Sequence, residues 1–339
     1  MRIYFLSFLT IFLLCNGTIN AQYTELINTN RPGVSQGAFS VGKNVLQFES
    51  GISYGKEKHN LLNTETTAWA WDYSARYGFF REELEVSLIG IFRSENVTDN
   101  RGISPVEYTQ RNFRSNTLGA KYLIYDPYRK MELEGPNLYS WKKNNRFQWA
   151  DLIPAVSVYA GANFDFADNP FTPEPESTIS PKFILSTQNN WIGGFVFVTN
   201  IIVDRVTTDF PSYGYILTLT HATNAYFSIF VENQGFKSDF YADQLLRGGA
   251  AALINENLQL DASVTLNFKD TPSVFEARIG MAYRFDMHDQ DEYLEEKGKA
   301  GRAKRKEEKN KNKKDRKRKR KDDFIEDDGG DDGGDDGGL

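Results

Sequence analysis

The chain has 339 residues, of which 25% are charged and 14% aromatic, and its formal net charge is −6. Apart from residues 3–15 it has no long apolar run, and that run is well short of the roughly 20 residues that a membrane-spanning helix needs. A helical membrane protein is therefore excluded.

The first residues have the composition of an export signal. One arginine is followed by an apolar run of about 13 residues and then by the small residue Ala21 before Gln22. Residues 1–21 are therefore predicted to be a secretory signal peptide. Cys15, the only cysteine, leaves with it, so the exported chain must obtain its stability from backbone pairing or a large core rather than from disulfides.

Residues 22–44 precede the first predicted strand. Within them Arg31-Pro32-Gly33 is stiff, because proline fixes the backbone angle φ. Such a segment can either lead into the fold from outside or fold back into it as a plug. The sequence leaves both interpretations open.

Between Val45 and Phe285, segments with alternating or apolar residues are separated by turn signals. In residues 258–268 every second residue is apolar, which is the period of a β-strand with one apolar face. We predict about twelve strands in all, over 45–54, 67–77, 84–93, 117–125, 152–164, 179–188, 192–203, 213–222, 226–233, 245–254, 258–268 and 274–285.

Such strands occur both in soluble β-sandwiches or barrels and in membrane barrels. The lengths of the connections favour the membrane barrel. The connections after the second, sixth, eighth and tenth segments are short. Those after the first, third, fifth, seventh and ninth segments are longer, for example residues 94–116. Short turns at one end and longer loops at the other are typical of outer-membrane proteins. We therefore predict an all-β, antiparallel transmembrane β-barrel of about twelve strands over residues 45–285, in the outer membrane with both termini in the periplasm.

Two stretches do not fit a plain barrel. Residues 126–151 are too long for a periplasmic turn, so either they form a periplasmic insertion or the strand count is off by one, and we favour the insertion. In the tail, residues 286–339, a block with 16 Lys or Arg (297–321) precedes an acidic block (322–339). Such a tail is predicted to be disordered and, behind a signal peptide, to meet an acidic or protein partner in the periplasm rather than nucleic acid.

Four stretches resemble a known family. They are "NTNRPGVSQGAFSVGKNVLQFESG", "YGFFREELEVSL", "LGAKYLIYD" and the closing hairpin "LQLDASVTLNF…PSVFEARIGMAYRF". They are similar to the bacterial outer-membrane family labelled transporter, or MetA-pathway phenol-degradation-like, through most of residues 25–285. Asn30 departs from the aspartate usual there, as do the insertion and the tail. The resemblance implies a barrel that takes up hydrophobic aromatic compounds, although no residue here encodes that substrate.

The polar face of the strands, together with Arg31, is predicted to line the lumen. Opposite charges there can hold a solute or a salt-bridged plug, or they can simply pair with one another and solvate a narrow interior. The predicted lumen residues are Arg31, Gln47, Glu49, Asp72, Arg76, Glu85, Lys121, Lys182, Arg247, Asp261, Glu276 and Arg278.

Two functions are consistent with these features. The first is a channel or transporter for small solutes, hydrophobic ones included, that is embedded in outer-membrane lipid. The second is a closed barrel that acts as a scaffold or assembly partner through its insertion and tail. His221 with Ser228 on the next strand is the one arrangement that suggests a nucleophilic pair, but no serine motif accompanies it, so we expect no enzyme. No cofactor motif or metal-ligand spacing is present, and neither is expected.

Overall fold

In a computed structural model, residues 27–129, 149–165, 169–172 and 178–287 are described. Within these ranges twelve antiparallel strands form a closed barrel, in which each strand pairs with its neighbours in the chain and the last strand pairs with the first. The prediction of an all-β barrel of about twelve strands is confirmed. The predicted signal peptide, most of residues 126–151 and the tail beyond Met287 lie outside the described residues.

The strands, which are numbered in chain order, are longest in the first third of the barrel. The bounds are β1 (Val45–His59), β2 (Thr64–Gly78), β3 (Leu84–Asp99), β4 (Val106–Tyr125), β5 (Ala155–Phe164), β6 (Ile179–Trp191), β7 (Phe195–Asp204), β8 (Ser212–Ala222), β9 (Phe227–Lys237), β10 (Ala242–Asn255), β11 (Leu258–Asn267) and β12 (Ser273–Asp286). We call the end of the barrel at which β1 begins and β12 ends the near end, and the opposite end the far end.

Burial in this barrel is the reverse of that in a soluble protein. On β11 the polar Asp261 and Thr265 point inward and are buried, whereas the apolar Leu260 and Val264 point outward and are 45% and 42% exposed. The aromatic rings of Trp69 and Phe92 also pack together on the outer surface, with their centroids 5.8 Å apart. An apolar outer surface that carries aromatic rings is what a barrel in a lipid bilayer requires. No helix in the described ranges is long and apolar enough to cross a membrane.

The predicted long connection at residues 94–116 is wrong. β3 continues to Asp99 and β4 begins at Val106, so only six residues, 100–105, connect them. Similarly, residues 60–63 form a four-residue turn between β1 and β2. Alternation fails to show these extensions because both faces of the extended hairpins are largely polar, and because a β-bulge at Ile91/Phe92 shifts the pattern by one residue.

We expect Val264→Arg to lower the free energy of unfolding by about 2–4 kcal/mol, because it places a charge on the lipid-facing surface. The matched change Gln234→Arg, on the inner face of β9 beside the lumen, is expected to cost much less. Equilibrium unfolding in lipid vesicles measures both. Equal losses for the two variants would show that the inner and outer faces are wrongly assigned.

Candidate functional site

Residues 27–44, here called the lumen segment, lie inside the barrel. The segment starts at the near end, where the Ile27 amide donates to the Glu256 carbonyl at 3.0 Å, and returns there to enter β1. Between these points it contacts strands around the whole circumference. In chain order, Arg31 contacts Asp261 of β11 and Asp72 of β2, Val34 and Ser35 contact Glu232 of β9, Gln36 contacts Asn200 of β7, Ala38 contacts Gln188 of β6, and Val41 contacts Glu85 of β3.

The side chain of Arg31 lies against four inner-face residues that are side by side on adjacent strands. We call these four residues the Arg31 slot. Asp72, Gly51, Gly280 and Asp261 follow one another across the sheet, each paired with the next. Arg31 donates from Nε and Nη2 to the Asp261 carboxylate at 2.9 and 3.0 Å, and from Nη1 to Asp72. A Cβ atom at Gly51 or Gly280 would lie 2.4 or 1.9 Å from Arg31 Nη2, so the two glycines provide the space for the guanidinium.

The electrostatics of the slot favour a permanently charged Arg31. Burial lowers the pKa of its guanidinium, but the hydrogen bonds that it donates to Asp261 and the charge of Asp72 outweigh burial, and the net effect raises the pKa. Arg31 is 7% exposed. Removal of one partner would therefore leave a buried charge uncompensated, which is costly.

Glu232 of β9 forms the second anchor of the lumen segment. Its buried carboxylate accepts the backbone amides of Val34 at 3.1 Å and Ser35 at 3.2 Å, and it also accepts a hydrogen bond from Arg247 of β10. A Cβ atom at Gly33 would lie 2.4 Å from Glu232 Oε2, so glycine lets the carboxylate approach the turn closely. One side chain of the barrel wall thus binds both the segment and a neighbouring strand.

A third cluster lies at the near end. Arg76 of β2 donates to Glu49 at 3.0 Å and to both oxygens of Glu85 at 2.9 Å, and all three side chains are buried. Lys121 Nζ of β4 lies 3.4 Å from Glu85 and donates to the Phe39 carbonyl of the lumen segment at 2.8 Å. These charges pair with one another and also hold the returning arm of the segment.

The remaining predicted lumen residues lie on the same inner face. Lys182 pairs with Asp204 at 3.1 Å, Arg278 Nη2 donates to Glu276 at 3.2 Å, and Gln47 Nε2 donates to Glu49 at 2.7 Å. That a solute passes these residues stays a prediction. Glu232, Asn200 and Gln188 were not predicted to line the lumen. The inner face of β6, β7 and β9 also carries Ile184, Val198 and Phe230, so the alternation of polar and apolar residues is blurred there.

The described start of residues 126–151 packs against the lumen segment. Tyr128 lies 6.1 Å from Phe39 between ring centroids, next to a small apolar core of Ala38, Leu123 and Ala155. The hydroxyl of Tyr128 also accepts the backbone amide of Asn190 on β6. These contacts stabilise the segment from the near end.

Above the lumen segment, toward the far end, the barrel encloses a cavity of about 960 Å³. Its floor includes Asn30, Arg31, Gly33, Val34 and Gln36, so the lumen segment forms the bottom of the cavity. The described residues contain no cluster of three or more histidine, cysteine or acidic side chains that could hold a metal ion. The cavity reaches the far end, where Lys56, His59 and Lys269 line it, and the lumen segment closes it on the near-end side. It can thus accept a small molecule from the far end.

His221 and Ser228, the one arrangement in the sequence that suggests a nucleophilic pair, do not meet in the barrel. His221 points outward on β8 and stacks on Phe195 with a centroid distance of 4.2 Å. Ser228, paired with Ala222, lies on the inner face of β9. The two side chains are on opposite faces of the sheet, so they cannot form a nucleophile–base pair.

Residues 29–285 match the protein family described as "Putative MetA-pathway of phenol degradation". The chain belongs to this family. The match confirms the family resemblance seen in the sequence and spans both the lumen segment and the complete barrel. None of the curated proteins matches the chain.

Solved barrels show a similar architecture at low sequence identity. The COG4313 outer-membrane channel from Pseudomonas putida F1 is 8% identical and superposes with a TM-score of 0.52, over 76% of this chain and 100% of that chain. The translocator domain of autotransporter NalP from Neisseria meningitidis is 9% identical with a TM-score of 0.43, over 72% and 89%. The first of these likenesses shows that this member of the family has the fold of an outer-membrane β-barrel.

We expect Gly280→Ala to release the lumen segment, because the new Cβ atom would occupy the position of the Arg31 guanidinium. Gly248→Ala is the matched control, since its Cβ would point outward with no atom closer than 3.8 Å. Ser35→Cys serves as the reporter, because Cys15 is the only native cysteine and lies in the predicted signal peptide. Labelling by a polar thiol reagent should be faster in the Gly280→Ala background only. Equal labelling in both backgrounds would show that the slot does not hold the segment.

Proposed function

We propose that the protein is an outer-membrane channel for small solutes, hydrophobic ones included, and that residues 27–44 hold it closed. The observation that carries the proposal is the cavity that extends from the far end and stops at the lumen segment. The segment is attached to the wall by hydrogen bonds rather than by strand pairing, so it can leave without disrupting the barrel. Membership of a family named for phenol degradation supports aromatic compounds among the solutes.

The proposed orientation places the near end, and with it both termini, in the periplasm. Apart from residues 126–154, the near-end connections have two to five residues, whereas those at the far end have four to 14, the longest being residues 165–178. Short periplasmic turns and longer outer loops are typical of such barrels. Protease digestion of the C-terminal tail only after permeabilisation of the outer membrane would agree with this orientation, and digestion in intact cells would contradict it.

A closed barrel that acts as a scaffold is the second candidate. The observation that favours it is the density of buried ion pairs and hydrogen bonds around the lumen segment, which leaves the near end filled. In this case the insertion at 126–151 and the charged tail would carry the function by contacting a periplasmic partner. No catalytic role is proposed for either candidate.

We expect the native protein to pass little steady current in a planar bilayer, and Arg31→Ala/Asp261→Asn to open it. The double substitution removes the anchor and the buried Asp261 carboxylate together, and Asp72, the other partner of Arg31, keeps Arg278 at 3.6 Å. Deletion of residues 27–43 should give an open channel without closures. The control Lys182→Ala/Asp204→Asn removes an inner-face ion pair with no contact to the lumen segment and should stay closed.

Heat-modifiable gel migration verifies that each variant forms the barrel. If the deletion variant is folded yet passes no current, the channel proposal fails and the scaffold is favoured. If the control opens as readily as the Arg31 variant, the current does not depend on the slot.

A further inference from the structure

The cavity above the lumen segment has two unlike walls. On β6 to β9 the inner face presents the apolar side chains Ile184, Ile202, Ile216 and Phe236, with Lys182, Asn200 and Gln234 between them. On β12 and β1 to β4 the inner face presents charged side chains instead. A ligand that satisfies both walls must have an apolar body and a charged or strongly polar group.

The charged wall carries one cation without a close partner. Three acids of this wall already have an arginine as partner: Glu95 lies 2.7 Å and Glu57 3.8 Å from Arg93, and Glu276 lies 3.2 Å from Arg278. The guanidinium of Arg114 on β4, in contrast, forms neither a hydrogen bond nor a close ion pair with any described residue, and Glu276, Glu57 and Glu95 act on it only at longer range.

Arg114 is also presented to the cavity by the local backbone. It is the extra residue of the β-bulge opposite Ile91 and Phe92, and its exposed side chain belongs to the cavity lining. The described lining as a whole contains eight Lys or Arg and six Asp or Glu residues. Three of these bases, Arg31, Lys182 and Arg247, are paired with Asp261, Asp204 and Glu232 just outside that lining, so an anionic group would be received by Arg114 rather than by a general excess of basic side chains.

We infer that the cavity binds a small amphipathic organic anion, such as an aromatic carboxylate. A guanidinium donates two parallel hydrogen bonds to a carboxylate, which gives Arg114 the partner it lacks in the protein. The apolar wall on β6 to β9 then covers the ring of the ligand. The inference rests on the proposed function, since the anion would be a solute of the channel.

Benzoate is a suitable probe, because it combines one carboxylate with one ring. Isothermal titration of the detergent-solubilised full chain should show saturable binding of benzoate, and Arg114→Gln should weaken it about tenfold or more, as expected for loss of a charge-assisted hydrogen bond. Arg111→Gln is the matched control: this arginine is three residues away on β4, exposed, and outside the cavity lining. Its substitution should leave the affinity unchanged.

Two further titrations examine the separate walls. Benzamide keeps the ring and lacks the charge, and acetate keeps the charge and lacks the ring, so both should bind more weakly than benzoate. Ile216→Asn should weaken benzoate and leave acetate unaffected, because it alters only the apolar wall.

An affinity for benzoate that is the same in Arg114→Gln and the native chain would overturn the inference, as would equal affinities for benzoate and benzamide, or the absence of any binding. These titrations need no current through the barrel. If the deletion variant conducts but the native chain binds no benzoate, the channel proposal stands and only this inference fails. If the native chain binds benzoate but no variant conducts, this inference about binding stands and the channel proposal fails.

Discussion

The structure depends on the requirement that every backbone amide and carbonyl in the bilayer be hydrogen-bonded within the protein. Pairing of β1 with β12 meets this requirement by closing the sheet. Closure turns the polar face of the strands inward, into a narrow lumen where charges such as Arg76 and Glu232 are buried. Buried charges need partners, and the lumen segment provides many of them through its backbone amides, its carbonyls and Arg31. The closed state is thus a consequence of satisfying the inner wall, and not only of filling space.

The lumen segment is held in a way that is compatible with the release proposed above. Its anchors are charge-assisted hydrogen bonds at the Arg31 slot and at Glu232, and none of them is part of the strand pairing. In a lumen opened to water, the carboxylates that it leaves would be hydrated, so the cost of release is lower than for the same groups in a dry core. The walls above the segment belong to the barrel, so release of the segment would remove only the floor of the cavity.

Much of this fold could be predicted from the sequence, because an outer wall facing lipid requires strict alternation, as in Leu260, Ala262 and Val264. Prediction was weakest where that requirement ends. The extensions of β3 and β4 toward the far end have largely polar residues on both faces, and the bulge at Arg114 breaks the period. The sequence indicated that Arg31 was unusual but not where it binds, since Gly51 and Gly280 are more than 200 residues apart and meet only through closure of the barrel.

The most direct measurement of the central claim is hydrogen–deuterium exchange of the lumen segment in the membrane-embedded native protein. The amides of Val34, Ser35, Ala38 and Val41 donate to wall side chains at 3.0–3.2 Å, so we predict exchange that is slow compared with the exposed turn at residues 100–105. Arg31→Ala/Asp261→Asn should accelerate exchange in this segment while β11 and β12 stay protected. Exchange of these four amides in the native protein as fast as that of residues 100–105 would contradict a lumen closed by residues 27–44.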